Sequence, residues 1–408
     1  MPAALRIACF VPAFPELSET FILRQIAGLI ERGHDVRVFT NHEASPGPVQ
    51  ELVARHGLLS RVRVLGDTEA ATSHERHGRA AAGAFLRVLR PRHARAAGGW
   101  GALVRTLRAL RGEGPFDIVH CHYGPMGLRY AVAASLWKAP LVVSFYGYDA
   151  SRYPRERGDM VYEALFAQAD VVTSLSEHMD ARLRALGCAQ ERIRRVPLSV
   201  EHSGGDEASG RVRRAADGVR LLTVARLVEK KGHAHALHAI ARLRDEMPGL
   251  RYDVLGDGPL RADLETLSAT LGIADRVHFH HAATSDSVRR AMDDADLFVL
   301  PSVTASSGDE EGTPTVLLEA ASRGLPVLAT RHAGIPEVVA DGESGVLVAE
   351  GDDAALAEGL RVMVRSRDRW PAMGEAGRRL VIDRGHLMGD VAARLESLYG
   401  ELLAARAT

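Results

Sequence analysis

The sequence predicts an α/β protein of two domains, each a parallel sheet covered by helices. Three observations carry that expectation. The 408 residues exceed what one ordinary hydrophobic core accommodates. Short apolar runs ending in polar residues alternate with segments of helical period in both halves. The rhythm breaks once, in a stretch rich in Gly, Ser and acids, and then restarts. Hydrophobic residues at 46% and charged residues at 25% are ordinary globular composition and exclude a disordered chain.

In the first half, Arg6–Val11 reads as a buried strand and Ser18–Arg32 as a helix opening in a Ser-Glu-Thr cap region. Gly33 ends that helix and Asp35–Thr40 reads as the next strand. Asp117–His122, Leu141–Tyr146 and Asp170–Ser174 are further strands, each followed by a helix-like segment. The break runs from Ser203 through Gly204, Gly205 and Asp206 to Gly210, within a linker placed at 203–218. Beyond it Arg220–Val224, Arg251–Leu255, Arg276–His280, Leu297–Leu300, Pro326–Ala329 and Gly345–Val348 read as strands. Helices fit at His233–Asp245, Leu260–Leu271 and Thr315–Arg323. The expected domains are 1–202 and 219–385, facing each other across a cleft, with the C-terminal segment 386–408 packing back on the first. Open sheets of this kind bind ligands beyond the carboxyl ends of their strands.

The net charge of −1 conceals an asymmetry. Residues 1–205 carry 26 Lys+Arg against 20 Asp+Glu, whereas residues 206–408 carry 25 against 32. The excess lies between Arg76 and Arg111, a span with nine arginines and no acid, interleaved with apolar residues such as Phe85, Trp100, Leu103 and Leu107. Such a stretch is either a basic amphipathic surface for peripheral contact with an anionic membrane or a solvated helix face. A nucleic-acid partner is disfavoured, because the chain as a whole is not basic and carries no recognised module. Cys9, Cys121 and Cys188 are widely spaced and odd in number, which points to a reducing compartment rather than a disulfide framework. With no signal-peptide pattern and no apolar stretch of spanning length, the expectation is a cytoplasmic protein.

Three segments carry chemistry. In Thr223–Gly232 a strand ends at Arg226, and a short turn delivers Lys231 and Gly232 at a helix start. Two cations beside free helix amides suit a diphosphate; the alternative is an exposed basic turn. In Glu310–Glu319, Gly312, Thr313, Pro314 and Thr315 open a helix where an anion is favoured, with Glu311 at the loop tip and Glu319 a turn into the helix. The alternative leaves Glu311 a dipole role and Glu319 a surface charge. The third segment, Gly256-Asp257-Gly258-Pro259, follows a strand as a dinucleotide fingerprint would. Arg261 stands in place of the last glycine, however, and disfavours a dehydrogenase. Histidines cluster at His120/His122, at His233/His235/His238 and at His278/His280/His281, but no carboxylate or cysteine group completes a zinc site, so no metal is expected.

Arg226 with Lys231, the Glu311/Glu319 pair and the Gly256–Pro259 loop together resemble family-4 retaining glycosyltransferases of the GT-B fold, over nearly the whole chain. Phe14–Phe21, Asp117–Gly124, Pro301–Ala305 and His332–Glu337 are similar to the branch that builds bacterial exopolysaccharides such as colanic acid and amylovoran. The resemblance implies transfer of a sugar from a nucleotide-diphosphate donor, UDP or GDP type, to a hydroxyl acceptor, with retention of configuration and no metal or other cofactor. It implies that Arg226 and Lys231 hold the diphosphate, that Glu311, Gly312 and Thr313 contact the donor sugar and phosphate, that Glu319 reaches the ribose, and that Gly256, Gly258, Pro259, Pro314 and Thr315 complete the donor site. Ser18, Glu19, Thr20 and His122 would face the acceptor. Two departures stand out. Tyr146-Gly147-Tyr148-Asp149 puts a phenol where many relatives have a histidine that contacts the donor sugar; Tyr146 and Asp149 are therefore placed at the donor. His281 stands where a glycine is common. The acceptor is read as a lipid-linked saccharide or a small molecule. The rival classes are a nucleotide-sugar epimerase and a non-catalytic sugar-binding protein.

Overall fold

Both sheets of the protein are wound in the same order. The computed structural model describes residues 4–16, 18–44, 50–66, 88–201, 218–281 and 284–407. The first sheet contains β1 (Arg6–Val11), β2 (Asp35–Thr40), β3 (Val62–Val64), β4 (Ile118–His122), β5 (Leu141–Ser144), β6 (Val171–Ser174) and β7 (Ile193–Arg195). Its spatial order is β3-β2-β1-β4-β5-β6-β7, with every pair parallel. The second contains β8 (Val219–Val224), β9 (Leu250–Leu255), β10 (Val277–His280), β11 (Leu297–Leu300), β12 (Val327–Thr330) and β13 (Gly345–Val348). Its order is β10-β9-β8-β11-β12-β13, again all parallel. Each sheet therefore reverses direction once, between β1 and β4 and between β8 and β11. At such a switch point the two adjacent loops diverge to opposite faces and leave a crevice at the carboxyl ends of the strands.

The strands form because their runs are apolar enough to be buried on both faces. β4, β5, β6, β11 and β12 are wholly buried, as parallel strands covered by helices must be. β3 and β7 were not expected. Each has three residues, two of them exposed in both strands, so neither leaves an apolar run to read. The first helix begins at Thr20 rather than Ser18, and no side chain caps it. Glu19 instead accepts a hydrogen bond from Tyr123 Oη at 2.8 Å.

The chain divides into two compact units: Met1–Pro197 with Met388–Thr408, and Leu198–Leu387. Of the linker expected at 203–218, only Gly218 lies within the described residues. The last helix, Met388–Ala407, packs on helix Thr20–Glu31. The approach is close: a Cβ on Gly28 would sit 2.9 Å from that of Ala392. Arg32 Nε donates to Glu396 at 2.7 Å, and Tyr399 Oη lies 2.8 Å from His120 Nδ1 on β4. Among the described residues, no helix is long and apolar enough to cross a membrane.

Candidate active site

In the second unit the switch-point loops are those after β8 and β11, and they carry the two charged segments. Gly232 ends the first loop at φ +67, and a Cβ there would lie 1.8 Å from the carbonyl oxygen of Pro301 on the second. Only glycine allows that approach in that conformation. Val303 N donates to Lys230 O at 2.9 Å, and Lys230 Nζ donates to Asp309 at 2.9 Å and to the Glu310 carbonyl at 3.2 Å. Held between these stitches, Lys231 Nζ lies 2.6 Å from Glu311 Oε1, which also accepts from Ser302 Oγ at 3.2 Å. Both partners are largely buried, the Glu311 side chain 6% exposed and that of Lys231 16%.

Burial alone would raise the Glu311 carboxyl. The ammonium of Lys231, followed by that of Lys230, outweighs it and holds the group below the usual carboxylate range. Glu311 is thus an anion at neutral pH. Gly312, Thr313 and Pro314 are buried behind it and lead into helix Thr315–Ser322. That helix has no side-chain cap and no acid in its first turn, so its leading amides and the positive end of its dipole are left for an anion. The hydroxyl of Thr313 is buried and has no hydrogen-bond partner among the described residues. Glu319, half-buried, stands one turn along the same helix.

Arg226 opens the turn that ends at Gly232. Its carbonyl accepts from His233 Nε2 at 3.0 Å, while its guanidinium is exposed and makes no hydrogen bond or ion pair with another described residue. Burial lowers His233 to about 4, against the pull of that carbonyl, so the ring is neutral. The glycine-containing loop after β9 buttresses this turn. A Cβ on Gly256 would lie 1.9 Å from Ala225 O, and one on Gly258 would lie 2.5 Å from Leu227 O. Leu227 N donates to Asp257 O at 2.9 Å, and Pro259 is exposed beside it. Arg261, in place of the third glycine, donates to the carbonyls of Gly256 at 2.7 Å and His280 at 2.9 Å. His281 pairs with Asp257 at 3.2 Å.

In the first unit the switch-point loops, after β1 and β4, carry Ser18, Glu19 and Thr20 on one side and Tyr123 on the other. The Glu19–Tyr123 bond joins them. Ser18 is exposed, and Thr20 Oγ1 accepts from Arg24 at 3.2 Å. His122, at the end of β4, is 1% exposed; its Nδ1 lies 2.6 Å from Tyr146 Oη and its Nε2 is buried with no partner among the described residues. Burial, with the neighbouring His120, keeps its ring neutral. Tyr146 also packs against Phe21 and Tyr123, at ring distances of 4.6 and 4.9 Å. Asp149 is fully buried. Its carboxylate accepts from the amides of Tyr146 at 2.9 Å and of Gly147 and Gly124 at 3.0 Å, which pins the loop after β5 to the start of helix Gly124–Trp137, the one that follows β4.

The clustered histidines are engaged singly: His235 with Asp353 at 2.6 Å, His280 with Asp253 at 2.7 Å, and His120 with Tyr399 and Ser144. Among the described residues no group of three or more His, Cys, Asp or Glu could share a metal ion. Sequence reasoning assigned no part to Lys230, Ser302, His332 or Glu350. Lys230, Ser302 and His332 lie inside segments that had been singled out, but nothing in local spacing marks the contacts between their loops.

Two doubly wound parallel sheets of this kind are the architecture of the GT-B glycosyltransferases. The chain belongs to that class: the family of glycosyl transferases group 1 matches residues 206–380, and the glycosyl transferase 4-like domain matches residues 18–199. The protein assigned as the colanic acid biosynthesis glycosyltransferase WcaL of Escherichia coli K12 is 32% identical over 368 residues, 87% of this chain and 90% of that one. The amylovoran biosynthesis glycosyltransferase AmsK of Erwinia amylovora is 32% identical over 374 residues, 86% and 89% of the two chains. Among solved structures, Anabaena HepE in complex with UDP superposes with a TM-score of 0.75 at 16% identity, covering 97% of this chain and all of that one.

Proposed function

We propose that the chain transfers a glycosyl group from a UDP- or GDP-sugar to a hydroxyl acceptor, with retention of configuration and with its own cations in place of a divalent metal. The observation that carries this reading is the meeting of Lys231, Glu311 and the amino end of helix Thr315–Ser322 at one switch point. A departing nucleoside diphosphate accumulates negative charge. Lys231, the exposed Arg226 and the leading helix amides supply preorganised positive charge where a metal would otherwise be needed. Glu311, ionised and held by Lys231, accepts hydrogen bonds from sugar hydroxyls and has no proton to give. In this reading the donor phosphate takes the acceptor proton, and attack comes from the face that the leaving group vacates. Glu319 serves the ribose. In the first unit Ser18, Glu19, Thr20 and His122 serve the acceptor, and Tyr146 the donor sugar. The test is the product formed in the presence of a chelator. Retention at full rate is expected; an inverted linkage, or transfer abolished by chelation, contradicts it, and an altered nucleotide-sugar released without acceptor would mark an epimerase.

The acceptor proposed is a lipid-linked saccharide of exopolysaccharide assembly, met on the cytoplasmic face of a membrane. The roles assigned to WcaL and AmsK in colanic acid and amylovoran biosynthesis support it, and so does one surface of the first unit. Helices Pro91–Ala96 and Trp100–Ala109 pack inward through Ala94, Leu103 and Leu107. They and their flanks expose Arg90, Arg92, Arg95, Arg105, Arg108 and Arg111, together with Trp100, which is 52% exposed. None of these arginines forms an ion pair with another described residue; Arg76, Arg79 and Arg87 lie outside the described residues. Each cation near an anionic surface contributes about 1 kcal/mol. The protein is expected to co-sediment with phosphatidylcholine vesicles containing phosphatidylglycerol but not with phosphatidylcholine alone, and to be released by salt. Equal binding to both, or to neither, removes the membrane from the account and favours a small-molecule acceptor.

A further inference from the structure

We propose that His332, oriented by Glu350, is a positioning residue that fixes the Glu311–Gly312 backbone for transfer. The inference rests on the reading that Glu311 contacts the transferred sugar. His332 follows β12 and is 4% exposed. Its Nε2 accepts a hydrogen bond from the backbone N–H of Glu311 at 3.2 Å. An N–H can only donate, so Nε2 is the bare nitrogen and the ring proton sits on Nδ1. That proton faces the Glu350 carboxylate, with which Nδ1 is hydrogen-bonded. Two residues along, Gly334 N donates to Gly312 O at 3.2 Å. The loop after β12 therefore grips Glu311 by its donor and Gly312 by its acceptor.

Between the two grips lies Ala333 at φ +46, a left-handed conformation that a residue with a Cβ rarely adopts. Such strain persists only where the surroundings over-determine it, and here it turns the His332 ring toward Glu311 while Gly334 stays in reach of Gly312. Lys231 and Ser302 hold the Glu311 carboxylate, and His332 holds its backbone. Without the imidazole acceptor, the buried N–H of Glu311 is unsatisfied and the loop is free to shift. A displacement near 1 Å at a reacting group costs turnover on the order of 100-fold.

The experiment compares wild type with His332→Leu, His332→Gln, Glu350→Gln and Glu311→Gln. Nucleoside diphosphate release is followed with whichever UDP- or GDP-sugar of a panel the wild type consumes, alongside the tautomer of His332 read by nitrogen NMR. The wild-type ring is expected to carry its proton on Nδ1. His332→Leu should lower kcat by about tenfold or more with donor KM little changed. His332→Gln, whose amide oxygen can accept from Glu311 N, should recover most of the loss. Glu350→Gln keeps an acceptor for Nδ1–H and should be mild, and the melting temperature of His332→Leu shows that the leucine variant is folded. A proton on Nε2, a folded His332→Leu variant with wild-type kcat, or a glutamine variant as impaired as the leucine one overturns the inference. If Glu311→Gln alone is impaired, only the inference falls; if Glu311→Gln turns over normally, the reading beneath it falls as well.

Discussion

Glu311→Gln is expected to cut turnover by about 100-fold or more while nucleotide binding survives. The substitution keeps the shape of the side chain and leaves Lys231 in place, so the cations that hold a diphosphate are untouched. What is lost is a fixed negative charge, held below the usual carboxylate range by Lys231 and Lys230, that would orient the sugar and complement the positive character developing on it. An interaction made mainly in the transition state appears in kcat rather than in ground-state affinity. Measuring kcat beside the affinity for the free nucleoside diphosphate separates the two. A parallel fall in both would give Glu311 a part in folding the site rather than in transfer.

Lys231→Met should be the more damaging change, because it removes a diphosphate contact and strands a buried carboxylate. Breaking a buried pair from one side costs about 3 kcal/mol or more, since the remaining charge stays desolvated. The pH dependence gives the sign. In the wild type the folded carboxyl of Glu311 titrates below its unfolded value. Its contribution to stability is therefore complete above the ordinary value of 4.5 and is lost as pH falls through the depressed one. Without Lys231, burial is no longer outweighed and the folded value should rise. Stability should then fall as pH climbs above 4.5, opposite to the Glu311 contribution in the wild type. Melting temperatures of the two proteins across the acid range show whether the slope reverses. An unchanged slope would mean that the pair contributes little.

The fold was legible where the chain concentrates its signal. β1, β2, β11 and β13 lie at the expected residues because each is a short apolar run closed by a turn. β3 and β7 were not, because three-residue edge strands with arginines on them leave no apolar run. In the candidate site, Arg226, Lys231, Glu311 and the helix start at Thr315 were legible because each lies in the loop-to-helix segment that follows a strand run. The pairing of Lys231 with Glu311 was not, for it depends on β8 lying next to β11, a property of strand order rather than of spacing. Gly256 and Gly258 were read as part of the donor site. In the structure they let one loop pack against the Ala225–Leu227 turn, a close approach that a GxG pattern alone does not distinguish from ligand binding. Asp149 was placed at the donor from resemblance; in the structure its carboxylate accepts from three backbone amides. Those bonds are set by tertiary packing that the motif does not encode.

The measurement that tests the central claim most directly is the melting temperature of wild type and Lys231→Met with UDP, GDP, ADP and their common sugar conjugates, each with and without chelator. A ligand present at 100 times its Kd adds about 2.7 kcal/mol to the folded state. The account predicts that one nucleotide class stands out for the wild type, that its shift survives the chelator, and that Lys231→Met loses it. A folded wild-type protein that no nucleotide stabilises would contradict the diphosphate site, and a shift that vanishes with the chelator would return that role to a metal.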